Sequence, residues 1–235
     1  MNVIITGCSR GIGYETAKLF AADENNLVLA VSRNRRKLVQ LSKECDAINH
    51  KNLLFTLPFD IEKDKASVLT AEVKKVMQHA DILINNAGLM INKPFNKLTD
   101  NDWKKVYEVN VFGVARIIKD ILPLFNKSER SHILNISSIG GFHGTAKFTG
   151  LAAYSSSKGA LCTLTECLAE EFKEQNIAVN CLALGAVQTE MLDMAFPGYK
   201  APVTAAEMAQ FVFNFAKSGH HLFNGKILPV SMSTP

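Results

Sequence analysis

The chain has 235 residues, of which 47% are hydrophobic and 20% charged, and its formal net charge is +4. That length supports one sizeable buried core, and Lys and Arg alternate with Asp and Glu along most predicted helices, so neither a nucleic acid nor a membrane surface is expected as a partner. Five scattered cysteines without a C-x-x-C pair (Cys8, Cys45, Cys162, Cys167, Cys181) imply reduced thiols, a cytoplasmic protein and no metal centre, and no apolar run approaches a membrane span.

Residues 2–6 read as a buried strand rather than a signal peptide, and Gly7-Cys8-Ser9-Arg10-Gly11-Ile12-Gly13 turns from it into a helix reaching about residue 23. A glycine-rich turn between strand and helix lets backbone N–H groups and the positive helix end approach a phosphate, although such glycines also serve bare chain geometry. Residues 27–31 form a second strand that ends at Ser32-Arg33-Asn34. No acid stands there to hold a ribose 2′-OH; Arg33 can grip a 2′-phosphate, or it can join Arg35, Arg36 and Lys37 as a solvated helix start. The helix that follows turns Leu38, Leu41, Cys45 and Ile48 inward.

A third strand, 53–57, closes on Pro58-Phe59-Asp60-Ile61, and a helix over 63–79 buries Leu69, Val73, Val76 and Met77. The fourth strand, 81–84, runs into Asn85-Asn86-Ala87-Gly88, which suits close backbone approach to a flat ligand or a plain turn. Thr99 with Asp102 resembles a capping box that opens one long helix to about residue 125, with Tyr107, Val111, Val114, Ile118 and Ile121 as its stripe. Asn110 interrupts that stripe, and a buried amide needs partners.

The fifth strand, 132–136, delivers Ser137 and Ser138, and a glycine-punctuated loop over 139–151 leads to the helix of Tyr154 and Lys158. Leu161, Leu164, Leu168 and Phe172 mark the buried face of that helix. Positions four apart lie only about 40° apart around a helix, so phenol and ammonium can share one small volume. A cation there lowers a Tyr pKa from its usual value near 10, which suits a proton donor. Alone, the same spacing also describes a packed ring beside a solvated amine. A sixth strand, 177–183, leads to Leu184-Gly185-Ala186-Val187-Gln188-Thr189; a short segment over 190–203, a helix over 204–217 and a last strand over 226–230 follow.

Strands alternating with helices predict a doubly wound, Rossmann-type α/β fold. Its mostly parallel seven-stranded sheet carries helices on both faces within a single domain, 1–235. Ligands of such sheets bind beyond the C-terminal strand ends, where Gly7, Arg33, Asp60, Asn86, Ser138 and Gly185 all fall.

With these residues in place the whole chain resembles the short-chain dehydrogenase/reductase family. Residues 6–13 look like its cofactor motif, Asp60-Ile61 its adenine-contacting step, Asn85-Asn86-Ala87-Gly88 its strand-four motif and Asn110-Val111-x-Gly113 its catalytic-Asn motif. Ser138, Tyr154 and Lys158 complete the catalytic set. The resemblance implies that Gly7, Ser9, Arg10, Gly11, Ile12, Gly13, Ser32, Arg33, Asp60, Ile61, Asn86, Ala87, Gly88, Tyr154, Lys158, Gly185, Val187 and Thr189 contact the cofactor. Tyr154 would donate a proton to a carbonyl oxygen that Ser138 orients, Lys158 would lower the Tyr154 pKa and bind the nicotinamide ribose, and Asn110 would hold a relay water.

This chain has Leu184-Gly185 where the family usually has Pro-Gly, and its Ser138-to-Tyr154 interval is a few residues longer, leaving Ser137 as the other hydroxyl to consider. The segment near 190–203 reads as a reduced substrate lid. The expected protein is an NADP(H)-dependent oxidoreductase, rather than an NAD(H)-dependent one, acting on a small-molecule carbonyl or alcohol and assembling as a homodimer or homotetramer. A 3-oxoacyl-carrier-protein reductase and a non-catalytic NADP(H)-sensing regulator are the competing readings. The retained Tyr154 and Lys158 weigh against the regulator, and the short lid and missing Pro against the carrier-protein enzyme.

Overall fold

Short apolar runs form the strands β1 (Asn2–Thr6), β2 (Leu27–Ser32), β3 (Leu54–Pro58), β4 (Ile82–Asn85), β5 (Ser131–Ser138) and β6 (Ile177–Leu184), the two-residue β7 (Val187–Gln188) and β8 (Val203–Thr204), and β9 (Ile227–Val230). The computed structural model describes residues 1–51 and 53–232. Seven of these strands make one sheet in the order β3-β2-β1-β4-β5-β6-β9, every neighbouring pair parallel, while β7 and β8 pair only with each other. The order reverses between β1 and β4, where a crevice opens beyond the strand ends.

Among the described residues eight α-helices accompany the strands: α1 (Gly11–Ala22), α2 (Arg35–Ile48), α3 (Ala66–Val76), α4 (Asp100–Tyr107), α5 (Gly113–Ile121), α6 (Ala152–Glu171), α7 (Glu190–Ala195) and α8 (Ala205–Ser218). Successive strand side chains point to opposite faces. Val3 and Ile5 therefore join Phe20, Leu38 and Val212 in one core, while Ile4 joins Leu69, Val114 and Leu161 in the other. Both faces of the sheet are covered, as a parallel sheet requires.

Three local features depart from the expected elements. Residues 63–65 are not helical: the Asp60 carboxylate accepts the Glu62 N–H and the Asp64 carboxylate the Asp60 N–H, local bonds that compete with helix formation. The expected long helix is interrupted at Glu108–Phe112 by a π turn closed by the Gly113 N–H on the Glu108 carbonyl. A π turn adds one residue, which shifts the helical phase by about 100°. Val106, Val109 and Asn110 are consequently buried in place of Tyr107 and Val111, whereas Val114, Ile118 and Ile121 keep their expected places. Ile48, the last residue of α2, is 56% exposed, because the inner face of that helix ends at Cys45. The Thr99–Asp102 capping box forms as anticipated.

Candidate active site

A single cavity of about 1180 Å³ lies along the C-terminal strand ends, from β2 to the α7 segment. At its floor the β1–α1 turn runs through Gly7 (φ +78°) and Gly11 (φ +60°), conformations that favour glycine. No side chain caps α1, so its first N–H groups are left for a ligand at the positive helix end. Gly7, Ser9, Arg10, Gly11 and Ile12 line the cavity. Gly13 does not; a Cβ there would lie 2.2 Å from Asn86 Nδ2, so this glycine lets α1 pack against β4.

Ser32 and Arg33 line the far end, Ser32 buried and Arg33 exposed, with no carboxylate among the residues lining that end. Arg10 also faces the cavity, but its guanidinium pairs with Glu190 at 2.8 Å. Phe59 and Ile61 flank the opening, and Asp60 between them accepts the Glu62 N–H through Oδ1.

At the end of β4, Asn86 Nδ2 donates to the Thr6 and Gly7 carbonyls, and the Thr6 hydroxyl accepts the Asn86 and Ala87 N–H groups. These bonds lock the two central strand ends together and present Asn86, Ala87 and Gly88 to the cavity. Asn110 stands one layer behind them. The π turn aims its amide inward, where Nδ2 donates to the Leu89 carbonyl and Ser157 Oγ while Oδ1 accepts the Leu89 N–H. Both amide hydrogens are thereby used, and Oδ1 holds one bond.

On β5, Ser137 and Ser138 separate cleanly. Ser137 Oγ donates to the Lys158 carbonyl at 2.9 Å, turned toward α6, whereas Ser138 is hydrogen-bonded to the Tyr154 phenol. Ser138 Oγ also accepts the Gly140 N–H and caps the turn that follows. That turn approaches α6 so closely that a Cβ on Gly141 would lie 2.5 Å from the Lys158 carbonyl carbon. This glycine contact, which the sequence reading did not single out, brings β5 and Tyr154 together despite the long intervening loop.

Tyr154 and Lys158 are 7% and 4% exposed, and Lys158 Nζ lies 5.9 Å from the Tyr154 ring centroid. Burial pushes the phenol up to about 12, opposed only by its bond to Ser138. Burial pushes Lys158 down to about 8. The expected lowering of the Tyr154 pKa by Lys158 is thus not what this geometry produces: Nζ donates to the Ile136 carbonyl at 2.8 Å, and desolvation sets the direction of the phenol's shift. Where a Cβ of Gly88 would begin, Lys158 Nζ and Asn110 Oδ1 are each 3.5 Å away, so the β4, π-turn and α6 contributions meet at one point.

Gly185, Val187 and Thr189 line the remaining wall. Thr189 also caps α7 by accepting the Leu192 N–H. Met90, Phe148, Leu151, Leu192, Phe196 and Tyr199 complete the catalytic end. All but Leu192, which lies in the short α7, sit in loops, and none of them has a periodicity that marks it as lining a site.

Comparison with known proteins agrees with this architecture. Residues 1–200 match the family described as short chain dehydrogenase. An uncharacterized oxidoreductase of Staphylococcus saprophyticus is 34% identical over 194 residues, covering 81% of this chain and 76% of its own length. A 3-oxoacyl-(acyl-carrier-protein) reductase of Thermotoga maritima is 30% identical over 206 residues, 88% of this chain and 79% of its own. Among solved structures, the L-sorbose reductase of Gluconobacter frateurii, complexed with NADPH and L-sorbose, shares the fold with a TM-score of 0.87 at 22% identity, over 99% of this chain and 95% of its own. With the family match running over most of its length, the chain belongs to the short-chain dehydrogenase family.

Proposed function

We propose that the protein is an NADP(H)-dependent reductase of carbonyl compounds, running in reverse as an alcohol dehydrogenase. The observation that carries this reading is the convergence of Ser138, Tyr154 and Lys158 on the cavity that also holds the uncapped start of α1 and the carboxylate-free end of β2. The residues fit the cofactor: open N–H groups suit a pyrophosphate, and Ser32 and Arg33, with Arg10, suit a 2′-phosphate. Support also comes from the NADPH held by the L-sorbose reductase structure.

When bound, NADPH supplies the hydride. Tyr154 supplies the proton to the carbonyl oxygen, and Ser138 donates a second hydrogen bond that orients that oxygen. With Tyr154 near 12 and Lys158 near 8, the neutral-pH pair is a phenol beside an ammonium, the protonation state reduction requires. Lys158 would hold the nicotinamide ribose, and Asn110 the relay water. Ile61 meets the adenine, Asn86, Ala87 and Gly88 border the cofactor, and Gly185, Val187 and Thr189 take its nicotinamide end.

In this reading the chain is one oxidoreductase domain with residues 190–203 as a short lid, working in the cytoplasm with reduced thiols. Among the described residues no helix is long and apolar enough to cross a membrane. Two copies pair through α4–α5 and α6, as a dimer or within a tetramer. Phe95 and Phe112, 72% and 51% exposed, sit in ring contact with Trp103 and Tyr107 and give that surface an apolar strip to bury. Reduction of a 3-oxoacyl thioester is the second reading, favoured by the Thermotoga relative. A turnover screen with NADPH and NADH against ketones, aldehydes, quinones and acyl thioesters tests both. Absence of NADPH binding, or of turnover with every class, would overturn the proposal.

A further inference from the structure

The cavity is chemically divided along its length. Four charged side chains line it among the described residues: Arg10, Arg33, Lys158 and Glu207. Arg10 is paired with Glu190, and the Glu207 carboxylate accepts the Thr204 N–H at 2.8 Å and its hydroxyl at 2.7 Å. Lys158 donates to the Ile136 carbonyl. Arg33 follows β2, three strands from β5 and so roughly 14 Å away. Apart from Lys158, which in the reading above the nicotinamide ribose takes up, none of these charges faces a substrate held at Tyr154.

What faces it instead is apolar. Met90, Leu151 and Leu192 line the walls, and Phe148, from the β5–α6 loop, meets Phe196, which follows α7, edge-to-face at 6.3 Å between centroids and 62° between planes. The rim is tied on three sides: Arg10 to Glu190, Asn92 Nδ2 to the Ala195 carbonyl at 2.7 Å, and the Lys93 N–H to the Gly150 carbonyl at 2.9 Å. Phe148 is 38% exposed, apolar surface that a seated ligand would cover. Ser138 and Tyr154 are spoken for by one carbonyl oxygen. Further hydroxyls or carboxylates on a substrate would give up water without compensation here.

Resting on the reductase reading above, we infer that the substrate is an uncharged carbonyl compound with a bulky apolar body, alkyl or aryl, and that Phe148 and Phe196 set this specificity. Keto acids and polyhydroxy ketones are excluded by the same walls.

The test follows NADPH oxidation with 2-alkanones of four to ten carbons, pyruvate and L-sorbose, with NADPH binding measured by calorimetry. Each added methylene should raise kcat/KM about fourfold until the pocket is filled, the equivalent of burying one CH₂ group. Pyruvate and L-sorbose should fall at least about a hundredfold below 2-octanone. Phe196→Ala and Phe148→Ala should each cut the increment to below about twofold per methylene, and the Leu variants should restore most of it. Octanamide, an unreducible carbonyl, should bind the NADPH-loaded protein more than about tenfold tighter than butanamide. A flat alkanone series with equal amide affinities, or a preference for pyruvate or sorbose, would overturn the inference and leave the reductase standing. Failure to bind NADPH, or to oxidise it with any carbonyl, would overturn both.

Discussion

β5 and β6 carry buried polar side chains at both ends, and the two ends behave differently. Toward the N-terminal end, His132 Nδ1 donates to the Ala216 carbonyl at 2.9 Å and Nε2 accepts from Asn180 Nδ2 at 3.1 Å. Asn180 is itself fixed by the Phe223 carbonyl and the Lys226 N–H, and the Phe215 ring closes over the histidine. Every polar atom of that pair is spent internally. At the C-terminal end Ser138 is half-buried, Tyr154 and Lys158 reach it from α6 and are nearly as buried as the histidine, and each of the three lines the cavity. Burial of polar groups is thus common to framework and site; what distinguishes the site is polarity left facing open space.

The contrast is broken most severely at the upper end. Tyr154→Phe removes the proton donor and keeps the ring, so turnover should fall about 10²–10⁴-fold while NADPH binding and melting temperature stay near wild type. Near wild-type turnover would mean that Tyr154 belongs with the framework.

The lower end should respond to acid rather than to substrate. Burial holds His132 at about 3 and His220 at about 4, below the unfolded value near 6.5. Between about pH 6.5 and 4 the unfolded chain binds protons that the folded one refuses, so stability rises with pH and is lost on acidification. The slope is at most about 1.4 kcal/mol per pH unit for each histidine. Urea titrations at pH 7, 6 and 5 read it directly, and His132→Asn should lower stability at pH 7 while flattening the slope. A wild-type midpoint indifferent to pH in that range would sink the assignment.

Two smaller effects sharpen the division within the cavity. Arg33→Asp should reduce the NADPH-over-NADH ratio of kcat/KM by about tenfold, the lower end for a charge-assisted contact because the side chain is exposed. An unchanged ratio would place Arg33 in solvent. Glu190→Gln should release Arg10 and tighten NADPH binding about two- to fivefold by calorimetry. Weaker binding would show that the pair organises the lid more than it competes for the arginine.

Most of the scaffold was legible because apolar runs in a parallel sheet are continuous and end abruptly. Val3-Ile4-Ile5 and Leu83-Ile84 each ran into polar or glycine residues at the place where the cavity opens. What stayed hidden depends on interruptions and on direction. A constant period places Tyr107 and Val111 inward, and only the π turn, which has no residue signature of its own, moves Val106 and Asn110 there. Lys158 was correctly placed on the face of Tyr154, but its bond to the carbonyl of Ile136, 22 residues away, and the burial that raises the phenol pKa both depend on packing that no local spacing shows. Asp60 falls at the expected strand end, and its bond to the Glu62 N–H, a local contact of a short carboxylate, has no periodic signal.

The contact between Gly13 and Asn86 constrains how this sequence can drift. The Asn86 amide occupies the volume that a Cβ at position 13 would take, and the same amide bridges the Thr6 and Gly7 carbonyls across the central crevice. A methyl group at 13 must push that amide out, so Gly13→Ala loses the bridge as well as gaining a clash. Shortening Asn86 makes room for the methyl but abandons the bridge by another route. Neither position can move alone toward a larger or smaller side chain, and their substitutions should be strongly non-additive, the double variant costing less than the sum of the singles. A lineage would have to cross that pair in one step or not at all.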